Sequence, residues 1–229
     1  MSDTAERHDE VDEWTRTMLI YKSALKSINT RLDILSDEFR HVHQYNPIEH
    51  IKSRIKTPES IVKKLHRYEK DVTISDMVAY VNDIAGIRII CSFIPDIYRI
   101  AGMIENQSDI KILNVKDYIQ SPKPNGYRSY HMLVTIPVFL SDEKLETKVE
   151  IQIRTIAMDF WASLEHKIHY KFKGNAPDSM WSDLKDCADM VSLLDQRMQA
   201  LNDTILHTSA PHAESDHSKI EQEIERLSV

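Results

Sequence analysis

Ten apolar residues between positions 11 and 42 recur at strict 3,4 intervals. They are Val11, Trp14, Met18, Tyr21, Leu25, Ile28, Leu32, Leu35, Phe39 and Val42, with no Gly or Pro among the residues between them. Such spacing draws one narrow apolar stripe along a long helix. A stripe of that length needs an equally long partner. The run from Met180 to Ile205 offers one, with Trp181, Leu184, Ala188, Val191, Leu194, Met198, Leu201 and Ile205 at helical spacing. The two helices are expected to pack on each other and on the core, and also to build an interface between copies of the chain.

Between the helices the period changes. Residues 50–56, HIKSRIK, alternate as a strand does. Residues 57–68 open with Thr57 as N-cap and Pro58 at the first helical position. Residues 75–83 read as a helix capped by Ser75, and 95–107 as a helix starting at Pro95. Residues 86–93, 110–119, 127–140 and 145–155 are strand-like, and 158–172 helical. Five strands interleaved with helices imply an α/β or α+β fold, a sheet with helices packed on it. Sequence leaves the pairing order open. The organisation expected is a helical extension over 1–46, a central domain over 47–175, a packing or oligomerisation helix over 176–208, and a mobile polar tail over 209–229.

Composition narrows the function. At 229 residues and 41% hydrophobic content, one ordinary core is available. A net charge of -7 argues against a surface for duplex nucleic acid, and binding of RNA finds no support beyond the pair Lys63-Lys64. Cys91 and Cys187 lie far apart without ligand-type spacing, which suggests a reducing compartment. The start MSDTAERHDE is polar and acidic, and no apolar run is long enough to span a membrane. A cytoplasmic protein is expected.

Side chains alternate across a strand. Ile51, Ser53 and Ile55 therefore share one face, and Lys52, Arg54 and Lys56 the other. Val149, Ile151 and Ile153 likewise oppose Glu150, Gln152 and Arg154. Spacing alone fits a half-exposed sheet with a solvated polar face. The residue types go further: three cations on one strand, and a carboxylate, an amide and a guanidinium on another. Asp83 sits just before the strand GIRII. A carboxylate there and a second at Glu150 provide hard oxygen ligands for Mg²⁺. The helix start at Thr57-Pro58, with Ser60 in its first turn and Lys63 and Lys64 following, suits polyphosphate. Four glycines and no GxxxxGKS/T run mean that side chains must hold the phosphates. Gly86 is read as a close-packing position. Residues 121–131, SPKPNGYRSYH, read as a stiffened turn at Asn125-Gly126 followed by Tyr127, Ser129 and His131 aligned on one side.

Four runs, RIKTPESIVKKL, NDIAGIRII, PKPNGYRSYH and VEIQIRT, resemble in their order the synthetase domain of the RelA/SpoT-homologue family, which makes the alarmones ppGpp and pppGpp. The resemblance covers roughly residues 47–175. With its flanking helices the chain resembles a small alarmone synthetase, of the RelP type rather than RelQ. It implies a nucleotidyltransferase-like sheet and Mg²⁺-dependent pyrophosphate transfer. The 3′-hydroxyl of GTP or GDP attacks the β-phosphorus of ATP, and AMP leaves. It places Arg54 and Arg88 against adenine, and Lys56, Ser60 and Lys64 on the ATP phosphates. Asp83 would bind the metal; Glu150 would share it or serve as general base. Tyr127 would stack on guanine, Lys123, Asn125 and His131 would contact the acceptor, and Gln152 and Arg154 would lie behind them. It implies synthesis without hydrolysis and a homotetramer. The alternative is a catalytically silent nucleotide-binding or assembly protein of the same fold.

Other candidates read more simply. His166 and His169, beside Glu165, have metal-ligand spacing but no further ligands, so they are read as structural. His41 and His43 suit a helix C-terminus. Cys91 is read as a core residue, and Trp14, Trp161 and Trp181 as packing residues.

Overall fold

A computed structural model describes the backbone of residues 2–42, 45–172 and 177–227 and, within these, the side chains of residues 12–42, 45–168, 177 and 179–205. His43 and the side chains of Val11, His169 and the 209–229 segment lie outside the described residues. The elements run α1 (Ser2–Val42), β1 (Ile48–Ile55), α2 (Pro58–Arg67), α3 (Ile74–Tyr80), β2 (Ala85–Cys91), α4 (Ile94–Glu105), β3 (Lys111–Asp117), β4 (Tyr130–Phe139), β5 (Lys144–Thr155), α5 (Ile156–Phe172) and α6 (Asp178–Leu227). The backbone of the polar tail continues α6.

The strands form one sheet in the order β1-β2-β5-β4-β3. Only β2 and β5 are parallel; every other pair is antiparallel. The sheet is therefore mixed. One face is apolar: Ile87 and Ile89 of β2 lie beside Ile151 and Ile153 of β5, with Met132 and Val134 of β4 beyond. All six are at most 2% exposed, and each such side chain contributes roughly 1.5–3 kcal/mol.

α1 covers that face. Met18, Tyr21, Leu25, Ile28, Leu32 and Phe39 of its stripe are buried in the same core as the sheet, with Trp14 and Leu35 packed against it. Val42 is exposed. The expected pairing of α1 with the C-terminal helix is corrected: α1 packs on β1, β2, β4 and β5, while α6 packs chiefly on α5. An isoleucine-rich sheet face is a broader apolar surface than a second stripe, so it takes the long helix. On α6, Ala188 is buried, but Leu194, Met198, Leu201 and Ile205 are about half or more exposed.

Local chemistry explains most boundaries. Thr57 caps α2 and Pro58 starts it. α3 is capped by Thr73, whose hydroxyl accepts from Asp76 N at 3.1 Å, not by Ser75. α3 ends at Tyr80, so Asp83 sits in the turn before β2 instead of on a helix. α4 has Pro95 in its first turn, and the Asp96 carboxylate accepts from Phe93 N at 3.2 Å. β4 begins at Tyr130, so Tyr127 and Ser129 precede the strand. Among the described residues no helix is long and apolar enough to cross a membrane.

Candidate functional site

The second face of the sheet carries two rows of residues in register across all five strands. The first is Lys52, Arg88, Gln152, His131 and Lys116; the second is Arg54, Gly86, Glu150, Leu133 and Asn114. Strand pleating puts paired residues on the same side. Glu150 of β5 stands in the middle strand, and cavities lie on either side of it.

The first cavity, of about 190 Å³, is lined by Lys52, Arg54, Asp83, Gly86, Arg88, Glu150 and Gln152, among others. Gly86 does not close-pack as expected: a methyl group there would meet only Arg54 Cγ at an ordinary 3.9 Å. Its bare backbone leaves the gap between Arg54 and Glu150 open. Asp83 is pinned by two cations, Lys56 Nζ at 2.8 Å and Lys64 Nζ at 2.7 Å. Burial pushes the Asp83 carboxyl up, but these two ammonium groups outweigh it and hold it below the ordinary carboxylate range. The turn carrying Asp83 is fixed from β5, where Lys148 Nζ donates to Val78 O, Ala79 O and Asn82 Oδ1 at 3.0–3.1 Å. Ser60 stands in the first turn of α2, its Oγ accepting from Thr57 Oγ1 at 3.0 Å, and does not line this cavity.

The second cavity, of about 220 Å³, is lined by Asn82, Asn114, Lys116, Tyr118, Lys123, His131 and Glu150, with Met132 and Leu133. Lys123 Nζ lies 4.7 Å from the ring centres of both Tyr118 and Tyr127. Arg154 Nη2 donates to Tyr127 OH at 2.5 Å, and that hydroxyl lies 2.8 Å from His131 Nε2. The other ring nitrogen, His131 Nδ1, faces Glu150 Oε1 at 3.7 Å. Gln152 Nε2 donates to Glu150 Oε2 at 2.9 Å. Burial pushes Glu150 up, but His131 and then Gln152 bring it below the ordinary range, against the opposing charge of Asp83. Both carboxylates are therefore ionised and close enough to feel each other.

The loop before β4 is a built turn. Gly126 N donates to Lys123 O at 2.8 Å and Lys123 N to Tyr127 O at 3.2 Å. Gly126 takes φ +86°, the left-handed region. The turn lies inside a longer connection, 118–129, and not directly between two strands as a plain hairpin would.

Of the residues expected in the site, Arg54, Asp83, Arg88, Glu150 and Gln152 line the first cavity, and Lys123, His131 and Glu150 the second. Lys56 and Lys64 border the first through Asp83. Four others are placed differently. Asn125 turns back on its own loop, accepting from Tyr127 N at 3.2 Å and donating to Glu165 at 3.4 Å. Arg154 is 4% exposed and faces Tyr127, Gln152, Ser129 and Asp159 instead of open space. Ser129 is fully buried, with Oγ donating to Ile153 O, so it leaves the line drawn through Tyr127 and His131. Tyr127 packs beside Trp161, Ala162 and Ala188.

Asn82, Asn114, Lys116, Tyr118, Lys148 and Asp159 went unseen. Lys116 and Asn114 alternate in β3 and were open to the same reading as Lys52 and Arg54. Asp159 had no local pattern to mark it. Among the described residues no group of three or more His, Cys, Asp or Glu side chains could hold a metal unaided. His166 is exposed, and Cys91 is buried in the core as expected.

Residues 53–175 match the family model described as the region found in RelA / SpoT proteins. The chain is 49% identical over 188 residues to the GTP pyrophosphokinase YwaC of Bacillus subtilis, covering 82% of this chain and 90% of that one. The crystal structure of small alarmone synthetase 2 from B. subtilis matches 84% of this chain and 99% of its own, with TM-score 0.76 and 47% identity. That of small alarmone synthetase 1 from the same organism, bound to its product pppGpp, matches 85% and 99%, with TM-score 0.80 and 32% identity. The higher identity thus falls to YwaC, the RelP-like relative.

Proposed function

Because this chain belongs to the RelA/SpoT family, we propose that it works as a GTP pyrophosphokinase, making (p)ppGpp from ATP and GTP or GDP. The observation that carries the reading is the place of Glu150, in the wall of both cavities at once. A group transferred between two nucleotides must pass a point common to both sites.

The donor takes the first cavity, with Arg54 and Arg88 offering planar guanidinium groups to adenine and Lys52, Lys56 and Lys64 reaching the phosphates. Lys56 and Lys64 now neutralise Asp83, and an arriving polyphosphate gives them a second anion. Ser60, one helical turn before Lys64, and the amide groups at the start of α2 would meet phosphate oxygens from that helix. The acceptor takes the second cavity, where Lys123, Lys116 and His131 supply cations or donors and Tyr118 supplies aromatic surface, with the Tyr127 ring centre 6.0 Å behind that of Tyr118. Asn125 serves by shaping the turn, and Arg154 by holding Tyr127.

Glu150, ionised and held by Gln152 and His131, takes the proton of the 3′-hydroxyl as that oxygen bonds to the β-phosphorus. The bond from the β-phosphorus to the α–β bridging oxygen breaks, and AMP departs with that oxygen. Catalysis here is mostly placement and charge neutralisation. Asp83 and Glu150 suit Mg²⁺, which commonly takes one or two carboxylates and completes its shell with phosphate oxygens and water. Bound there, the ion would draw charge off the transferring pyrophosphoryl group.

We extend the proposal to a cytoplasmic homotetramer that synthesises the alarmone and does not hydrolyse it. The exposed Leu194, Met198 and Leu201 of α6 and Ile156, Phe160 and Leu164 of α5 support self-association. Glu150→Gln is the test. Both nucleotides should bind with near-parental affinity by calorimetry while turnover falls about 10²–10⁴-fold. Near-parental turnover would remove Glu150 from the chemistry.

A further inference from the structure

Asp159, in the first turn of α5, lines neither cavity, yet it touches the frame of both. A single carboxylate oxygen, Oδ1, accepts from Arg88 Nη1 at 3.0 Å and from Arg154 Nη1 at 3.2 Å. Arg88 belongs to the wall of the donor cavity. Arg154 carries the connection to the other side. Its Nη2 donates to Tyr127 OH at 2.5 Å and to Gln152 Oε1 at 3.0 Å, and Gln152 in turn donates to Glu150.

The charges make this oxygen hard to replace. Burial, and next the like charge of Arg154, disfavour the cationic form of Arg88, and Asp159 opposes both. The Arg154 side chain is 5% exposed and Asp159 15%, so this ion pair is shielded from water. Arg88 is 31% exposed. Without the carboxylate, two neighbouring guanidinium groups repel. Arg154 has no room to leave, whereas Arg88 can swing toward solvent and lose the plane that stacking requires.

We propose that Asp159 is a positioning residue: it holds Arg88 in the orientation that meets the donor base and, through Arg154, fixes the Tyr127 hydroxyl beside the acceptor cavity. One carboxylate thereby sets the geometry of both nucleotide sites. The inference rests on reading the two cavities as donor and acceptor sites.

A double-mutant cycle on the full chain tests it, using calorimetry with the non-hydrolysable donor AMPCPP and with GDP. Asp159→Asn should weaken AMPCPP about tenfold. In an Arg88→Ala background the same change should weaken it less than about twofold, because the group being positioned is gone. GDP should weaken several-fold in both backgrounds, since the route through Arg154 and Tyr127 bypasses Arg88. Asp159→Glu keeps the charge and shifts it by one methylene. It should melt with the parent and show the same pattern at smaller size, and it decides the matter if the Asn variant unfolds. Equal losses of AMPCPP affinity with and without Arg88, or parental binding of both nucleotides by Asp159→Asn, would overturn the inference. A parent that binds neither nucleotide would instead overturn the assignment of the two cavities.

Discussion

Gly126→Ala should damage the protein in a way that can be sized in advance. Gly126 has φ +86°, and a methyl group there would sit 2.5 Å from Ala188 Cβ on α6. An L side chain in the left-handed region costs about 1–2 kcal/mol. Forcing a methyl into a packed contact costs about 1–3 kcal/mol more. Together they predict a loss of about 2–5 kcal/mol, or roughly 4–20 °C in Tm for a chain of this size. The damage should also reach function, because Arg128 ties this loop to α6 by donating to Gly126 O, Ala188 O and Asp189. Displacing α6 moves the segment that carries Lys123 and Tyr127, so KM for the guanine nucleotide should rise more than KM for ATP. Gly102→Ala is the opposite case. Gly102 lies inside α4, and a methyl group added there would meet nothing within 4 Å, so the change should stabilise by about 0.8–1 kcal/mol. Thermal melts of the two variants beside the parent should therefore move in opposite directions. A Gly126→Ala protein that melts with the parent would refute both the strain and the contact.

Two carboxyl groups, one half-buried and one buried, should give opposite pH responses. The Asp83 carboxyl is held below its ordinary value, so its pairing with Lys56 and Lys64 contributes fully above about pH 4 and is lost as pH falls through the lower folded value. Urea titrations should find Asp83→Asn about 1–3 kcal/mol less stable than the parent at pH 6. That gap should shrink toward pH 2–3; a constant gap would remove the ion pairs from the account. Asp195 of α6 is buried, and Thr155 Oγ1 donates to it at 2.5 Å. Burial raises its carboxyl, and Thr155 only partly offsets this. Its contribution is full below about pH 4 and is lost as pH rises through the raised folded value. Asp195→Asn, still able to accept from Thr155, should thus be more stable than the parent at pH 7 by about 1 kcal/mol and equal to it near pH 4. Lower stability of that variant at pH 7 would contradict the sign.

What the chain disclosed in advance follows from the range of each interaction. Alternation within a strand is local, so the polar faces of residues 50–56 and 149–154 were legible, and with them Lys52, Arg54, Glu150 and Gln152. Strand order depends on pairing across long separations, so the two rows that join Lys52 to Lys116 and Arg54 to Asn114 came only from the structure. The partner of α1 was misread because a helical stripe reports that something apolar covers it, not whether that is a helix or a sheet. Thr73 and Ser75 are both sound caps, and the contact with Asp76 N selects the first. Arg154 looked open because it alternates with Glu150 and Gln152. It is closed by Asp159, which lies only a few residues on in sequence but reaches it because the chain turns directly from β5 into α5. Tyr127 stood out in the loop for its ring, whereas its hydroxyl meets both Arg154 and His131, an arrangement that needs three separate segments to come together.

Glu150 between two nucleotide cavities predicts a specific route for the atoms. The full chain, Mg²⁺, GDP and ATP labelled at the β-phosphorus should be incubated together and the products separated. The label should appear in a guanosine tetraphosphate carrying its new pyrophosphate on the 3′-oxygen, with AMP formed in equal amount. Label recovered as free pyrophosphate, or ATP left intact while GDP binds, would contradict the account.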